Sequence, residues 1–334
     1  MKIAVIGSGA IGSVVAGYLS LKGEDVSLVG HADSVAEIKK QGLNISGVRG
    51  DFHIDLKVSQ RIEGKQDLAI LTVKTQDCQE ALKDNIAFLR GTHVLTTQNG
   101  IGAEAIVAKY VSKENIISSI VMFGATYLEP GAVVHNFEGN WIIGRFFGKN
   151  DAEVEAVSSI IKKIFPVTLS DDMRGMKYMK LFVNANNCIS AILGISMQEA
   201  FSDPEISRIS LGVWLEGLGV VKKSGIGLVS LPDFPLERLL KLASLPPEEA
   251  AKIFSGIMMN LSKEPLYGSI LQSIRRNRFS EIDYINGEFV RLAKEKGFPA
   301  PLNTKLVEMV HRVEREKRFF SKPELLEATG GMFT

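Results

Sequence analysis

The first thirty residues, MKIAVIGSGAIGSVVAGYLSLKGEDVSLVG, constrain the fold of this chain more than any other stretch. Lys2 to Ile6 reads as a buried strand, apolar and largely β-branched after the lysine. It runs into Gly7-Ser8-Gly9-Ala10-Ile11-Gly12, after which Ile11 to Lys22 has helical character and Val26 to Val29 reads as a second strand. A strand, a crossover helix and a second strand in so short a span imply two parallel strands, and parallel sheets carry helices on their faces. The glycine pattern is G-x-G-x-x-G between a strand and a helix. Its first glycine allows the tight turn, its second lets the backbone approach a pyrophosphate, and its third lets the helix pack close to the strand. The helix start adds free N–H groups and partial positive charge. Gly7, Ser8, Gly9, Ala10, Ile11 and Gly12 are therefore the candidate dinucleotide grip. A secretory leader is the competing reading of a lysine followed by apolar and small residues. The glycines break the apolar run and a second strand follows, so that reading is set aside.

The alternation continues. Leu68–Val73, His93–Thr97, Ile116–Met122, Ala132–Asn136 and Trp141–Gly144 read as strands, and Val167 to Ser170 as the last one. Ala32–Gln41, Asp77–Leu89, Ala103–Tyr110 and Ala152–Ile164 read as helices. The two short strands after Glu129-Pro130-Gly131 read as a hairpin region. After Ser170 the texture changes. Asp171 and Asp172 are N-cap candidates for one helix over Met173–Leu193. Further helices are expected over Ile206–Ser224, Leu236–Leu242, Pro247–Leu261, Asp283–Lys296 and Asn303–Lys317. The expected organisation is an α/β doubly wound, Rossmann-type sheet over residues 1–170, followed by an all-α domain over 171–334. The length of 334 residues is enough for two such cores.

The formal net charge is +1, which gives no electrostatic reason to expect nucleic acid or a membrane surface as partner. No uncharged apolar run is long enough to read as a membrane span. The two cysteines, Cys78 and Cys188, stand in no metal or redox spacing and fit a reducing, cytoplasmic setting. No metal site is expected. An NAD site usually carries an acid at the end of the second strand. Here the chain reads Gly30-His31-Ala32-Asp33, so His31 is the candidate neighbour of a 2′-phosphate and NADP (NADPH) is the expected cofactor. Asp33 keeps NAD open.

Five further stretches complete the pattern: "LTVKTQD" around Lys74, "TTQNGIG" around Asn99, "EPGAVVH", "KYMKLFVNANNCISAI" around Lys180, and "GSILQSIRRNRFSEIDYING" around Glu281. On these residues the chain resembles the ketopantoate reductase family (2-dehydropantoate 2-reductases) within the 6-phosphogluconate-dehydrogenase-like superfamily, almost end to end. The spacing of Ser269, Gln272 and Glu281 is the most specific part of the likeness. The resemblance implies NADPH-dependent reduction of a 2-keto acid, ketopantoate, to pantoate on the route to pantothenate and coenzyme A. It implies Lys180 as the proton donor to the developing alkoxide, and Glu281 as a contact of both substrate hydroxyl and cofactor. Asn99 would sit between nicotinamide and substrate, Asn184 would bind substrate, and Ser269 would hold its carboxylate. Lys74 would lie near the cofactor, and Ala125 would border the nicotinamide. A homodimer through the helical domain is the corresponding analogy.

The chemistry is coherent in its own right. Hydride addition to a ketone builds negative charge on oxygen, and a nearby cation stabilises it and can supply the proton. A lysine suits when partial burial lowers its pKa. Residues four apart share a helix face, so Lys180 and Asn184 can both face a cleft between the domains. Lys177, one turn earlier, is expected to be solvated. Cys78 is expected to be packed in its helix, and the run Arg275-Arg276-Asn277-Arg278 to face solvent or form salt bridges.

The chain also departs from the family pattern. A second asparagine is expected eight residues after the lysine, where Cys188 stands. Asn187 is one residue short, and on a continuous helix a step of seven returns nearly to the face of Lys180. Either Asn187 or Cys188 fills that position. A later asparagine is also missing, where the chain reads Ser196-Met197-Gln198. These departures leave open a reductase of a different branched 2-keto acid. A cofactor-binding regulator without turnover is the alternative of another class, which the joint presence of Lys180, Asn184, Ser269 and Glu281 opposes.

Overall fold

Runs of Ile, Val and Leu with no polar interruption can be buried on both faces, and they form the centre of a parallel sheet here. The computed structural model describes residues 1–260, 264–330 and 332. The chain divides into two compact units, Met1–Arg174 and Gly175–Thr334. In the first, β1 (Lys2–Ile6), α1 (Ala10–Leu21) and β2 (Asp25–Val29) form the opening unit. There follow α2 (Ala32–Gln41), β3 (Leu43–Gly47), β4 (Phe52–Ile54), β5 (Lys57–Ser59), β6 (Leu68–Leu71), α3 (Cys78–Leu89) and β7 (His93–Thr96). Then come α4 (Ala103–Val107), β8 (Ile116–Val121), β9 (Gly124–Glu129), β10 (Ala132–Phe137), β11 (Trp141–Gly144), α5 (Ala152–Ile161) and β12 (Val167–Leu169).

The main sheet has the order β12-β11-β8-β7-β6-β1-β2-β5. From β5 to β8 all neighbours are parallel, and β11 runs antiparallel to β8. β1 lies between β2 and β6, so the strand order reverses there, and the crevice past its carboxyl end is where ligands bind in open sheets of this kind. Gly7 is the first residue past that end.

Of the second sheet, β4-β3-β10-β9, only β10 was legible in the sequence, as the strand expected over Ala132–Asn136. Three of the four unanticipated strands, β3, β4 and β5, are short and carry polar or glycine residues, and the fourth, β9, is exposed toward its end. The expected hairpin is also corrected. Glu129-Pro130-Gly131 joins β9 to β10, whereas β11 pairs with β8 and β12 in the main sheet. The helix read over Ala103–Tyr110 stops at Val107.

The two sheets share α1. Gly12 to Leu19 are all buried, and α1 packs on β1 and β2 from one side and on β3, β9 and β10 from the other. A helix apolar all round needs two such neighbours. Gly17 makes the second contact close: a Cβ there would stand 2.5 Å from Ile45 Cδ1 and 2.9 Å from Ile54 Cδ1. Next to it the Tyr18 hydroxyl lies 3.0 Å from His135 Nδ1, beside the stacked rings of Phe123 and Phe165.

The helical part comprises α6 (Met173–Ala185), α7 (Asn187–Leu193), α8 (Met197–Phe201), α9 (Pro204–Lys223), α10 (Leu236–Ser244) and α11 (Pro247–Met259). It continues with α12 (Ser269–Arg275), α13 (Asn286–Lys296), α14 (Pro301–Glu316) and α15 (Lys322–Thr329). The single helix expected over Met173–Leu193 is broken at Asn186. Asn184, Asn186 and Asn187 crowd this point, and asparagine side chains compete with helical backbone bonds. α11 ends at Met259, and the expected end at Leu261 lies outside the described residues. The start expected at Asp283 is a 3-10 turn, Ile282–Tyr284, ahead of α13.

Polar ties lock these helices. Trp214 Nε1 donates to the Phe182 carbonyl at 2.7 Å, joining α9 to α6. Glu216 accepts from the backbone N–H groups of Leu302 (2.9 Å) and Asn303 (2.8 Å), which satisfies free donors at the start of α14. Among the described residues no helix is long and apolar enough to cross a membrane.

Gly17→Val tests the shared helix. The added methyls meet the branched ends of Ile45 and Ile54, and overpacking of this kind costs about 1–3 kcal/mol. A lowered thermal midpoint is expected; an unchanged midpoint would show that the second sheet has room to retreat.

Candidate active site

The three motif glycines have three different environments. Gly7 has φ +123°, a conformation that L side chains rarely adopt, and a Cβ there would lie 2.8 Å from both Thr72 Oγ1 and the Val73 nitrogen. A Cβ on Gly12 would stand 1.8 Å from the Gly7 carbonyl oxygen. Gly9, the residue preceding α1, has nothing within 4 Å of that position. The first and third glycines are thus demanded by the fold itself. The second leaves open space over the backbone, which is what a phosphate approaching the helix start needs. Ala10 and Ile11 open α1, and Ser8 is buried, its carbonyl accepting from the Ser13 hydroxyl at 3.3 Å. Thr72, which the sequence reading passed over, donates to the carbonyls of Ile6 (3.0 Å) and Gly7 (2.9 Å).

The neighbouring strand ends carry the remaining first-unit candidates. His31 is exposed just past β2, at the start of α2, and Asp33 lies in the first turn of that helix. Lys74 is half-buried past β6, ahead of the 3-10 turn Thr75–Asp77. Asn99 is half-buried past β7 and is followed by Gly100 at φ +82°. The Thr75 hydroxyl donates to the Asn99 carbonyl at 3.3 Å. The parallel sheet thereby brings the glycine turn, His31, Lys74 and Asn99 to one edge. Ala125 is placed differently. It sits in β9 of the second sheet, paired with His135 and packed on the core around α1. Cys78 is fully buried in α3, as expected.

In the second unit Lys180 and Asn184 stand four residues apart on α6. Lys180 keeps part of its side-chain surface accessible, yet the protein around its ammonium lowers its pKa to about 8. Asp233 opposes that shift. Its loop is held by a short bridge between Leu231 and Phe234, and nothing in the sequence marked it. Lys177 is not solvated as expected but 2% exposed. Met176, Tyr178 and Met179 are buried beside it, so this part of α6 has no solvent face on which a lysine could lie.

The break at Asn186 means that helical periodicity does not relate Asn187 to Lys180. Tertiary packing places it instead. A Cβ on Gly268 would stand 2.9 Å from Asn187 Cγ and 3.1 Å from Met197 Cε, so Asn187 and Met197 both abut the residue before Ser269. Ser269 is the exposed first residue of α12. Cys188 is turned elsewhere: its thiol donates to the Ala185 carbonyl at 3.1 Å, and burial pushes its pKa up to about 12. Asn186 is 2% exposed, and both polar atoms of its amide lack a protein partner. Glu281 is half-buried just ahead of the 3-10 turn, where the preceding Ser280 N–H is held by Glu314 Oε1 at 2.7 Å. Among the described residues no cluster of His, Cys, Asp and Glu could hold a metal.

Residues 3–148 match the family described as "Ketopantoate reductase PanE/ApbA", and residues 172–314 match "Ketopantoate reductase PanE/ApbA C terminal". The chain belongs to the ketopantoate reductase family. This is a family of oxidoreductases. The 2-dehydropantoate 2-reductase of Pyrococcus horikoshii is 32% identical over 94% of this chain and 98% of its own length. That of Archaeoglobus fulgidus is 27% identical over 94% and 98%. Among solved structures, a ternary complex of D-mandelate dehydrogenase with NADH and anilino(oxo)acetate superposes with a TM-score of 0.81. It is 27% identical and covers 95% of this chain and 99% of that one. The 2-dehydropantoate 2-reductase of Geobacter metallireducens, 22% identical with a TM-score of 0.78, supports the fold alone; it covers 94% of this chain and all of its own.

The glycine environments separate two kinds of failure. Gly9→Val has room in the protein and is expected to keep its thermal midpoint while losing NADPH binding in a fluorescence titration. Gly12→Ala collides with the Gly7 carbonyl and is expected to lose stability as well. Undiminished NADPH binding by Gly9→Val would remove the glycine turn from the cofactor site.

Proposed function

We propose that this chain reduces 2-dehydropantoate (ketopantoate) to pantoate with NADPH, in pantothenate and coenzyme A biosynthesis in the cytoplasm. The observation that carries the reading is the lysine on α6. It lies within the span matched by the family's C-terminal part, and burial holds its pKa near 8. A donor titrating there is protonated in neutral solution and still acidic enough to release its proton to an alkoxide. Residues 1–170 are assigned to the cofactor and 171–334 to the substrate and to a dimer contact.

The bound nicotinamide supplies the hydride, which is chemistry no side chain here provides. The open backbone at Gly9 and the start of α1 suit a pyrophosphate. His31 and Lys74 offer cationic or hydrogen-bonding partners for the adenosine end, and Asn99 orients the reactive ring. Asn184, Asn187 and Ser269 bind the keto acid, with Ser269 on its carboxylate. The contact of Asn187 with Gly268 supports Asn187, not Cys188, as the second amide. Lys180 polarises the keto oxygen and then protonates it. Glu281 holds the substrate hydroxyl and the cofactor.

A second reading is an NADH-linked reductase of another branched 2-keto acid. It is favoured by His31 and Asp33 past β2, where no arginine stands, and by Met197 next to Ser269. The likeness to a D-mandelate dehydrogenase bound to NADH points the same way.

Loss of reduced-nicotinamide absorbance, measured with ketopantoate and a panel of 2-keto acids and with NADPH and NADH in turn, decides between them. The first reading requires ketopantoate with NADPH to give the highest kcat/KM. Lys180→Ala should lower kcat by roughly 10²–10⁴-fold with little change in cofactor affinity. Turnover within about threefold of wild type would remove Lys180 as the acid. The sign of the pH dependence follows from a donor that must be protonated. In the reductive direction activity should hold below about pH 8 and fall above it, and Lys180→Ala should lose that limb.

A further inference from the structure

We propose that Gln98 is a positioning residue for the reaction: its side-chain amide ties the loop bearing Asn99 to the loop bearing Lys74 and fixes their spacing. The inference rests on the assignment of Lys74 and Asn99 to the cofactor site.

The parallel ladder between β6 and β7 ends at Leu71 and Thr96. Past that point the two segments are free to diverge, and it is past that point that Lys74 and Asn99 occur. Gln98 continues the connection with its side chain. Its Nε2 donates to the carbonyls of Leu71 (2.7 Å) and Val73 (2.8 Å), and its Oε1 accepts from the Thr97 backbone N–H at 3.1 Å. Both amide protons and the oxygen are therefore engaged, on a side chain that is only 5% exposed. Two hydroxyls add parallel ties. Thr97 Oγ1 donates to the Leu71 carbonyl at 2.9 Å, and Thr75 Oγ1 donates from the Lys74 loop back to the Asn99 carbonyl. Val73 is the residue before Lys74, and Gln98 the residue before Asn99. No backbone freedom separates the anchored atoms from the functional positions except one residue on each side.

An amide is the one side chain of this size that offers two donors and an acceptor without charge. Methionine has the same length but no donor. Glutamate keeps the acceptor but turns an anion on two carbonyls. Either change removes the amide tie between the two loops and leaves the two hydroxyl ties. Small misplacements of groups around a reacting centre cost large factors in rate.

The test uses the full chain carrying Gln98→Met or Gln98→Glu, with NADPH binding followed by fluorescence and turnover followed on the best keto acid. About tenfold weaker NADPH binding is expected, the consequence of roughly 1.4 kcal/mol of lost positioning. A lower kcat at saturating NADPH is expected with it, together with a larger isotope effect from NADPH deuterated at the transferred hydrogen. A purely structural role would lower the thermal midpoint and leave the binding and kcat of the folded protein unchanged. Binding and kcat both within about twofold of wild type, in variants that fold, overturn the proposal. If both variants fail to fold, Thr75→Val removes one parallel tie. A smaller change in the same direction supports the proposal, and unaltered kinetics overturn it. Wild-type protein that binds neither NADPH nor NADH overturns this inference and the functional reading together. An active wild type with indifferent variants overturns this inference alone.

Discussion

The close approach of α1 to the end of β1 is the contact on which the first unit depends. A Cβ on Gly12 would stand 1.8 Å from the Gly7 carbonyl oxygen, so the helix comes this close to the turn before it because Gly12 has no side chain, while the bare Gly7 lets the turn lie against Thr72 and Val73. That approach aims the first turn of α1 at the switch point of the sheet. It also brings α1 near enough to β1 and β2 for its other side to receive a second sheet, through Gly17. Thr72 locks the same turn from the neighbouring strand with its bonds to Ile6 and Gly7. One backbone contact thus sets the position of the helix start and the packing that buries the helix.

The two units offer different kinds of chemistry. The first presents backbone: an open helix start at Gly9 and strand ends held by Thr72, Thr97 and Gln98. Backbone donors are fixed once the fold is made and suit a large anionic cofactor common to many reactions. The second presents side chains, with Lys180 and Asn184 on a buried helix and Asn187 and Met197 set against Gly268. Its tuning comes from burial. Burial lowers the Lys180 ammonium to about 8 and raises the Cys188 thiol to about 12, because each shift favours the neutral form. The lysine is thereby brought closer to neutrality and the thiol is kept protonated.

What was legible in the sequence was whatever depends on local pattern. The strand–glycine–helix start, the alternation that makes a parallel sheet and the helical second half were readable because apolar periodicity and glycine spacing act over a few residues. The family likeness, carried by short motifs, was readable for the same reason. Most of the second sheet was not, since strands such as FHI carry too few residues to show a period. The hairpin expected after Pro130 failed because consecutive strands went to different sheets, a choice made by which edge each found. Lys177 was misplaced because a lysine's solvation depends on what covers its helix, not on its neighbours in the chain.

The sequence by itself determined that a dinucleotide fingerprint opens the chain, that a helical part follows, and that Lys180 and Asn184 stand one turn apart. Each of these follows from spacing along a single element. Tertiary structure alone decided that Asn187 abuts Gly268 while Cys188 turns inward, that Asp233 bears on Lys180, and that Gln98 laces two strand ends together. The physical reason is the helix break at Asn186 and the end of the β6–β7 ladder. Where regular hydrogen bonding stops, periodicity no longer dictates where a side chain goes, and packing and burial against distant segments do.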